Sequence, residues 1–425
     1  MSTTAATTIT QASCADDYDP NSMPVAKARA FIHQFLEPVR GTVRVPVRDA
    51  LGRVLAGDLL SPVDVPSHRN SAMDGWAMRG ADLAADREVA LSEIGVSFAG
   101  KPFSGKVGAG QCVRIMTGGV VPEGADTVVM QERARASGKS ITFAAGQKTG
   151  QNVREAGEDL KAGSVALRKG RIVRPAELGL IASLGVGEVA VYRPLRVAFF
   201  STGDELKSVG TALAEGEIYD SNRYTLYGML ERLGCEVLDM GVVRDDPKLL
   251  ERAFREAAAN ADVVITSGGV SVGEADFVKG MLGKLGEVVF WKIAMKPGRP
   301  LAYGKIGGAH FFGLPGNPVS VMATFYQFVR DALLMVMGAN PVEPVPTFTA
   351  RCSTRLKKAP GRTEFQRGIL TRGADGSLAV RPTGEQGSGI LKSMSDANCF
   401  IILGDDTGNV EPGTTVEVQL LEGIV

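Results

Sequence analysis

The segment from 195 to about 338, where short apolar runs alternate with amphipathic ones, most constrains what this chain can fold into. LRVAFFST, EVLDMGVV, ADVVITSGG, EVVFWKIAM and HFFGLPG read as strands. SNRYTLYGMLERLG, PKLLERAFREAAAN, DFVKGMLGKLG and VSVMATFYQFVRDALLMVMG read as the helices between and after them. Strands apolar on both faces and linked by helices predict a doubly wound α/β domain with a parallel sheet covered on both sides. In such a sheet ligands sit beyond the carboxyl ends of the strands, so the loops that follow them are where chemistry is expected.

The flanks read differently. Residues 24–37 have helical spacing, 42–60 mix a strand with a helix, and 69–155 are short β-type runs broken by Gly and Pro. Residues 158–193 return to mixed character. Beyond the Pro-rich hinge NPVEPVP (340–346), short alternating strands and Gly turns predict a small β-barrel or sandwich. The expected organisation is multidomain, α/β plus β: a disordered tail over 1–21, an N-terminal mixed α/β domain over 22–68 and 156–193 carrying an inserted β-rich module over 69–155, the α/β domain over 194–340, and a C-terminal β-barrel over 346–425.

Composition narrows the chemistry. The 47 basic and 47 acidic residues cancel, so no general positive field is available, and neither nucleic acid nor a membrane surface is an expected partner. No run approaches the ~20 apolar residues of a membrane span, and the Thr/Ser/Asp-rich start lacks the parts of a secretory signal, which predicts a cytoplasmic protein. Five cysteines and three histidines are scattered singly, without zinc-site or triad spacing. Metal chemistry is left to carboxylates.

Those carboxylates cluster at predicted strand ends. After VVIT comes Ser267-Gly268-Gly269-Val270-Ser271-Val272-Gly273-Glu274-Ala275-Asp276, whose glycines let backbone N–H groups approach an anion. A loop that merely turns the chain is the alternative. After FGL comes Pro315-Gly316-Asn317-Pro318, which opens a long helix; an Asn cap followed by a helical Pro accounts for it equally. Asp204 and Glu205 follow FFSTG, and Asp245 and Asp246 follow another strand. Glu205, Asp245 and Asp276 can converge from three loops, a donor set that suits Mg²⁺, against the alternative of solvated acidic turns. Lys292 and Lys296, with Arg299 nearby in WKIAMKPGRP, add positive charge for an oxyanion unless they simply point to solvent. In the N-terminal half, NSAMDGWAM (70–78) reads as a turn or a site, and RIMTGGVVPEGADTVVMQE (114–132) as two strands around a turn. Arg154, Glu158 and Asp159 read as a junction ion pair or a site.

Eight motifs in order, NSAMDGWA, RIMTGGVVPEGADTVVMQE, NVREAGED, STGDEL, IYDSNRYTL, TSGGVSVGEADF, KIAMKPGRP and GLPGNPVS, resemble those of the MoeA family, the molybdopterin molybdenumtransferases, and are similar to the E domain of gephyrin. The resemblance runs from about residue 22 to the C-terminus and makes the α/β segment the molybdopterin-binding domain. It implies insertion of molybdate, as substrate, into adenylylated molybdopterin with Mg²⁺ and release of AMP. It implies functional roles for Asp74, Asp159, Glu205, Asp245, Asp276, Lys292 and Lys296, with Mg²⁺ on Glu205, Asp245 and Asp276. Substrate contacts are implied at Ser267, Gly268, Gly269, Ser271, Gly273, Pro297, Pro315, Gly316 and Asn317. GRTEFQRG and GEQGSGIL resemble the family's final motifs and extend the implication to Arg367 and Ser388. An elongated homodimer with sites composed from both subunits is implied, as is an adenylyltransferase that supplies the substrate. The chain departs from the usual motif at His68-Arg69 and at Trp76, where the family commonly has Tyr. A molybdopterin adenylyltransferase resembles the α/β segment and its TSGG loop but not 22–193 or 347–425. A scaffold role like that of gephyrin goes with a linker and an adenylyltransferase domain that nothing here resembles.

Overall fold

The computed structural model describes residues 8–10, 22–269 and 275–421, with backbone alone for 275–278. Ser271 and Gly273 therefore lie outside the described residues, as does the side chain of Asp276.

The α/β domain is built on a six-stranded sheet. Its strands are β1 (Arg196–Thr202), β2 (Glu236–Val243), β3 (Val263–Ser267), β4 (Gly286–Lys292), β5 (Pro300–Ile306) and β6 (Ala309–Leu314), in the order β2-β1-β3-β6-β5-β4. Alternate residues point to opposite faces, so each strand feeds two cores. Val197, Phe199, Val263, Ile265 and Phe312 face one, with helices α1 (Ser221–Arg232) and α4 (Pro318–Val336). Ala198, Phe200, Val264 and Phe311 face the other, with α2 (Pro247–Asn260) and α3 (Ala275–Leu285). Helix α4 is long and apolar enough to cross a membrane, but two thirds of it, 67%, is buried among the strands and helices of this domain.

The expectation of a wholly parallel sheet is corrected by the strand pairing. The sheet is mixed, because β5, which periodicity alone did not single out, runs antiparallel to both neighbours. Its hairpin to β6 turns on Gly307-Gly308, with Ile306 paired to Ala309 and Gly307 at φ +57°, a conformation two glycines adopt without Cβ strain. With β5 reversed, β4 again runs parallel to β6, which returns Lys292 to the carboxyl edge. Of the tail expected over 1–21, residues 8–10 are described and 1–7 and 11–21 lie outside the described residues. Ile9 is 3% exposed within the larger core, and its N–H donates to Glu287 Oε2 at 2.9 Å.

The opening helix, Val25–His33, also packs on this domain: Phe31 meets Trp291 edge-on at 5.0 Å, and Met23 N–H donates to the Lys292 carbonyl. The N-terminal mixed domain pairs Thr42–Pro46 with Glu188–Tyr192 around Ala50, Leu55, Val173 and Ile181. The helix expected within 42–60 is only the 3-10 turn Val47–Ala50, since Gly52 takes φ +76° and Val54 and Leu55 form β-bridges. The inserted module is a six-stranded sheet with a small core on each face. The C-terminal strands Thr347–Cys352, Thr363–Arg372, Leu378–Pro382, Cys399–Leu403 and Thr415–Leu420 close into a barrel, because Thr363–Arg372 pairs with both Leu378–Pro382 and Cys399–Leu403. Met295–Lys296 adds a strand to that barrel and so joins it to the α/β domain.

Candidate active site

A cleft of about 730 Å³ opens at the carboxyl ends of β1, β3 and β6. The strand ends bring Glu205, Asp245, Ser267, Gly268, Gly269, Gly316 and Asn317 together on its wall. Pro315 lies just beneath, its carbonyl accepting from Ser267 Oγ at 3.5 Å. The barrel supplies one side: the Ser388 carbonyl accepts from Val319 N–H at 3.1 Å, and Gly389 and Leu391 line the cleft.

The glycines are required by close approach. Gly268 stands at φ +91°, and a Cβ there would come within 2.7 Å of the Thr202 carbonyl oxygen. The loop after β3 lies directly on the end of β1, which leaves its backbone bare toward the cleft. Asn317 occupies the N-cap position of α4 but makes no side-chain capping bond. The Asn-cap reading of GLPGNP is therefore not what the structure contains. The amide of Asn317 faces a cleft already supplied with the helix start.

Sequence reasoning left Asp220 and Asn222 without roles, although both stand in IYDSNRYTL. Asn222 Nδ2 donates to Ser267 Oγ and to the Gly316 carbonyl, each at 2.7 Å, and so ties the β3 and β6 loops to α1. Asp220 caps α1 by accepting from Arg223 N–H at 3.1 Å. Asp220 Oδ2, Asn222 Oδ1 and Thr202 Oγ1 are buried, and none has a hydrogen-bond partner among the described residues. All three belong to residues that line the cleft. Buried polar atoms are nearly always satisfied, and three of the seven that lack a partner among the described residues belong to residues of this cleft.

Other expected site residues lie elsewhere. Asp74 sits on the β-rich module, where Oδ1 accepts from Thr117 N–H at 2.7 Å and Thr117 Oγ1 at 2.8 Å; these bonds hold its carboxyl below the usual range. Asp159 is exposed at the junction. The ion pair there joins Arg69 to Glu155 at 3.2 Å rather than involving Arg154, so one of the departing residues serves the module's stem. Trp76 is a core residue, its indole N–H donating to Glu93 at 2.7 Å under the Arg114 guanidinium. His68 is exposed beside Ser67. Lys292 ends β4, and Lys296 pairs with Glu364 at 3.3 Å, followed by a buried Pro297; none of the three lines the cleft. Arg367 is 1% exposed inside the barrel, donating to Ser393 Oγ and the Gly387 carbonyl, and burial pushes its pKa down to about 10. It braces the segment leading to Ser388.

No group of three or more His, Cys, Asp or Glu side chains is arranged for a metal among the described residues. Mg²⁺ needs only one or two carboxylates with water and phosphate oxygens, and Glu205 and Asp245 on one cleft meet that requirement.

Family models match nearly the whole described chain: the MoeA N-terminal region (domain I and II) at 23–185, a "probable molybdopterin binding domain" at 198–335 and the MoeA C-terminal region (domain IV) at 349–421. The molybdopterin molybdenumtransferase of Haemophilus influenzae is 48% identical over 374 residues, 88% of this chain and 92% of that one. Molybdopterin molybdenumtransferase 2 of Mycobacterium tuberculosis is 35% identical over 385 residues, 88% and 94%. The crystal structure of the molybdopterin biosynthesis moeA protein from Pyrococcus horikoshii OT3 superimposes with a TM-score of 0.81 at 30% identity, covering 94% of this chain and all of that one. With matches of this length to each of its regions, the chain belongs to the MoeA family of molybdopterin molybdenumtransferases.

Proposed function

We propose that the enzyme works on adenylylated molybdopterin, inserting molybdate into its dithiolene with Mg²⁺ and releasing AMP, as a cytoplasmic homodimer fed by an adenylyltransferase. The observation that carries this reading is the cleft's mixed equipment: a glycine-lined loop, two carboxylates and three buried polar atoms without partners among the described residues, all at the strand ends. The Gly268-Gly269 backbone and the start of α4 suit phosphate oxygens. Asp220 Oδ2 and Asn222 Oδ1 suit N–H or O–H donors of the pterin or ribose. Glu205 and Asp245 would hold Mg²⁺, together with Asp276 at the start of α3, and the metal would neutralise phosphate charge when bound. Lys292, at the carboxyl end of β4, and Lys296, in the short strand that joins the barrel, would supply cations for molybdate. The protein's own task is to orient substrate and oxyanion, with no covalent nucleophile required.

The test uses purified protein with two substrate sets. Preformed adenylylated molybdopterin with molybdate and Mg²⁺ should release AMP and yield cofactor that reconstitutes a molybdoenzyme. ATP with molybdopterin should be left unconsumed. ATP consumption would instead assign the adenylyltransferase step to this chain, and turnover of neither set would favour a binding role.

A further inference from the structure

We infer that Glu364 is a positioning residue for Lys296, fixing that ammonium from inside the C-terminal barrel for the oxyanion substrate. The inference rests on the reading of Lys296 given above. Met295–Lys296 pairs in parallel with the start of the barrel strand Thr363–Arg372, and Lys296 and Glu364 are direct partners in that register. Glu364 is 4% exposed, yet it is a carboxylate. One of its oxygens accepts from Lys296 Nζ at 3.3 Å and the other from Gln366 Nε2 at 2.9 Å. Gln366 Nε2 also donates to the Lys357 carbonyl at 2.9 Å, so the amide that orients the carboxylate is itself held.

The pair is lopsided. The Lys296 side chain is 47% exposed while that of Glu364 is 6% exposed. An exposed lysine ordinarily samples many rotamers and binds an anion at the cost of losing them. Here a buried carboxylate held by Gln366 fixes the ammonium while leaving it open to solvent, so that cost is met in the folded state. The direction is set by the chain that follows. Gly298 stands at φ +98°, and a Cβ there would lie 2.6 Å from Thr324 Oγ1 and 3.5 Å from the Ser320 carbonyl. Gly298, two residues after Lys296, is thereby packed against α4, the helix whose start lines the cleft. Glu364 stands in GRTEFQRG beside Arg367, so one strand braces both the lysine and the segment before Ser388.

The full-length chain tests this through molybdate binding, measured by equilibrium dialysis with radiolabelled molybdate, in parallel with thermal unfolding. Glu364→Gln, which keeps shape and the acceptor for Gln366, should raise the molybdate Kd about tenfold, and Glu364→Asp should restore part of the loss. In a Lys296→Ala background Glu364→Gln should add nothing. The inference is overturned if Glu364→Gln leaves Kd within about twofold, or raises it equally with and without Lys296. If Lys296→Ala itself leaves Kd unchanged, the reading of Lys296 has failed, and the inference with it. Where Glu364→Gln does not fold, Gln366→Leu, which frees the carboxylate without removing it, should raise Kd in the Lys296 chain and not in Lys296→Ala; equal or no change in both overturns the inference.

Discussion

Asn222 spans to Ser267 at 2.7 Å while the same amide nitrogen reaches the Gly316 carbonyl at 2.7 Å, so one side chain sets the separation of the two loops that form the cleft floor. Both bonds are buried or partly buried, and losing their donor leaves acceptors unsatisfied. Asn222→Ala should therefore cost about 1–3 kcal/mol in kcat/KM for AMP release, beyond any change in unfolding midpoint. Asn222→Asp removes both N–H donors at constant shape and should be nearly as damaging. Activity within a factor of two for either variant would remove Asn222 from the site.

Glu205 and Asp245 reach the cleft from the loops after β1 and β2. If they hold Mg²⁺, Glu205→Gln and Asp245→Asn should each move the Mg²⁺ dependence of AMP release to higher concentration by about tenfold or more, with rate partly recovered at saturating metal. Asp276→Ala should act in the same way. Isothermal titration of Mg²⁺ in the presence of AMP reads the same property without turnover. An unshifted Mg²⁺ titration in all three variants would sink the metal assignment.

How much of this was legible beforehand follows from the range of each interaction. The doubly wound domain announced itself because β1 and β3 carry unbroken apolar runs, and the strand-end rule located Glu205, Asp245 and Gly268 with no further information. Strand β5 escaped because its run, broken by Pro300, Gly304 and Lys305, is recognisable only from its pairing with β4 and β6. The role of Asn222 was hidden because its two partners lie 45 and 94 residues away. Arg367 was read as a ligand cation because sequence offers no measure of burial; in the fold it is enclosed by the barrel.

His310 on β6 is a histidine held neutral by its surroundings. Burial, reinforced by Lys305, pushes its pKa down to about 4 although Asp262 opposes the shift. The unfolded chain takes up a proton near pH 6.5 and the folded one does not until about pH 4. Stability should thus be complete above pH 6.5 and fall by up to about 3 kcal/mol as the pH drops to 4. Urea unfolding at several pH values compares the chain with His310→Phe, in which this part of the slope should vanish. Equal slopes in the two proteins would show that His310 is not the group responsible.

Asp74 lies on the inserted module, outside the cleft that gathers Glu205 and Asp245; in the proposed homodimer it would serve the cleft of a second subunit. Its bonds to Thr117 offer a purely local explanation, a carboxylate that closes a turn, and the two accounts differ in what a mixed dimer does. Asp74→Asn retains the acceptor for Thr117 and should fold normally. As a homodimer it should lose most AMP release, as should Asp276→Ala at limiting Mg²⁺, the condition used for the mixed dimer. In a C₂ assembly, a heterodimer of the two variants contains one cleft with both residues intact. Differently tagged chains, refolded together and purified through both tags, should recover about half the activity of the unmodified dimer. Inactive verified heterodimers would place Asp74 in service of its own subunit. Full activity of the Asp74→Asn homodimer would reduce it to the turn residue that Thr117 completes.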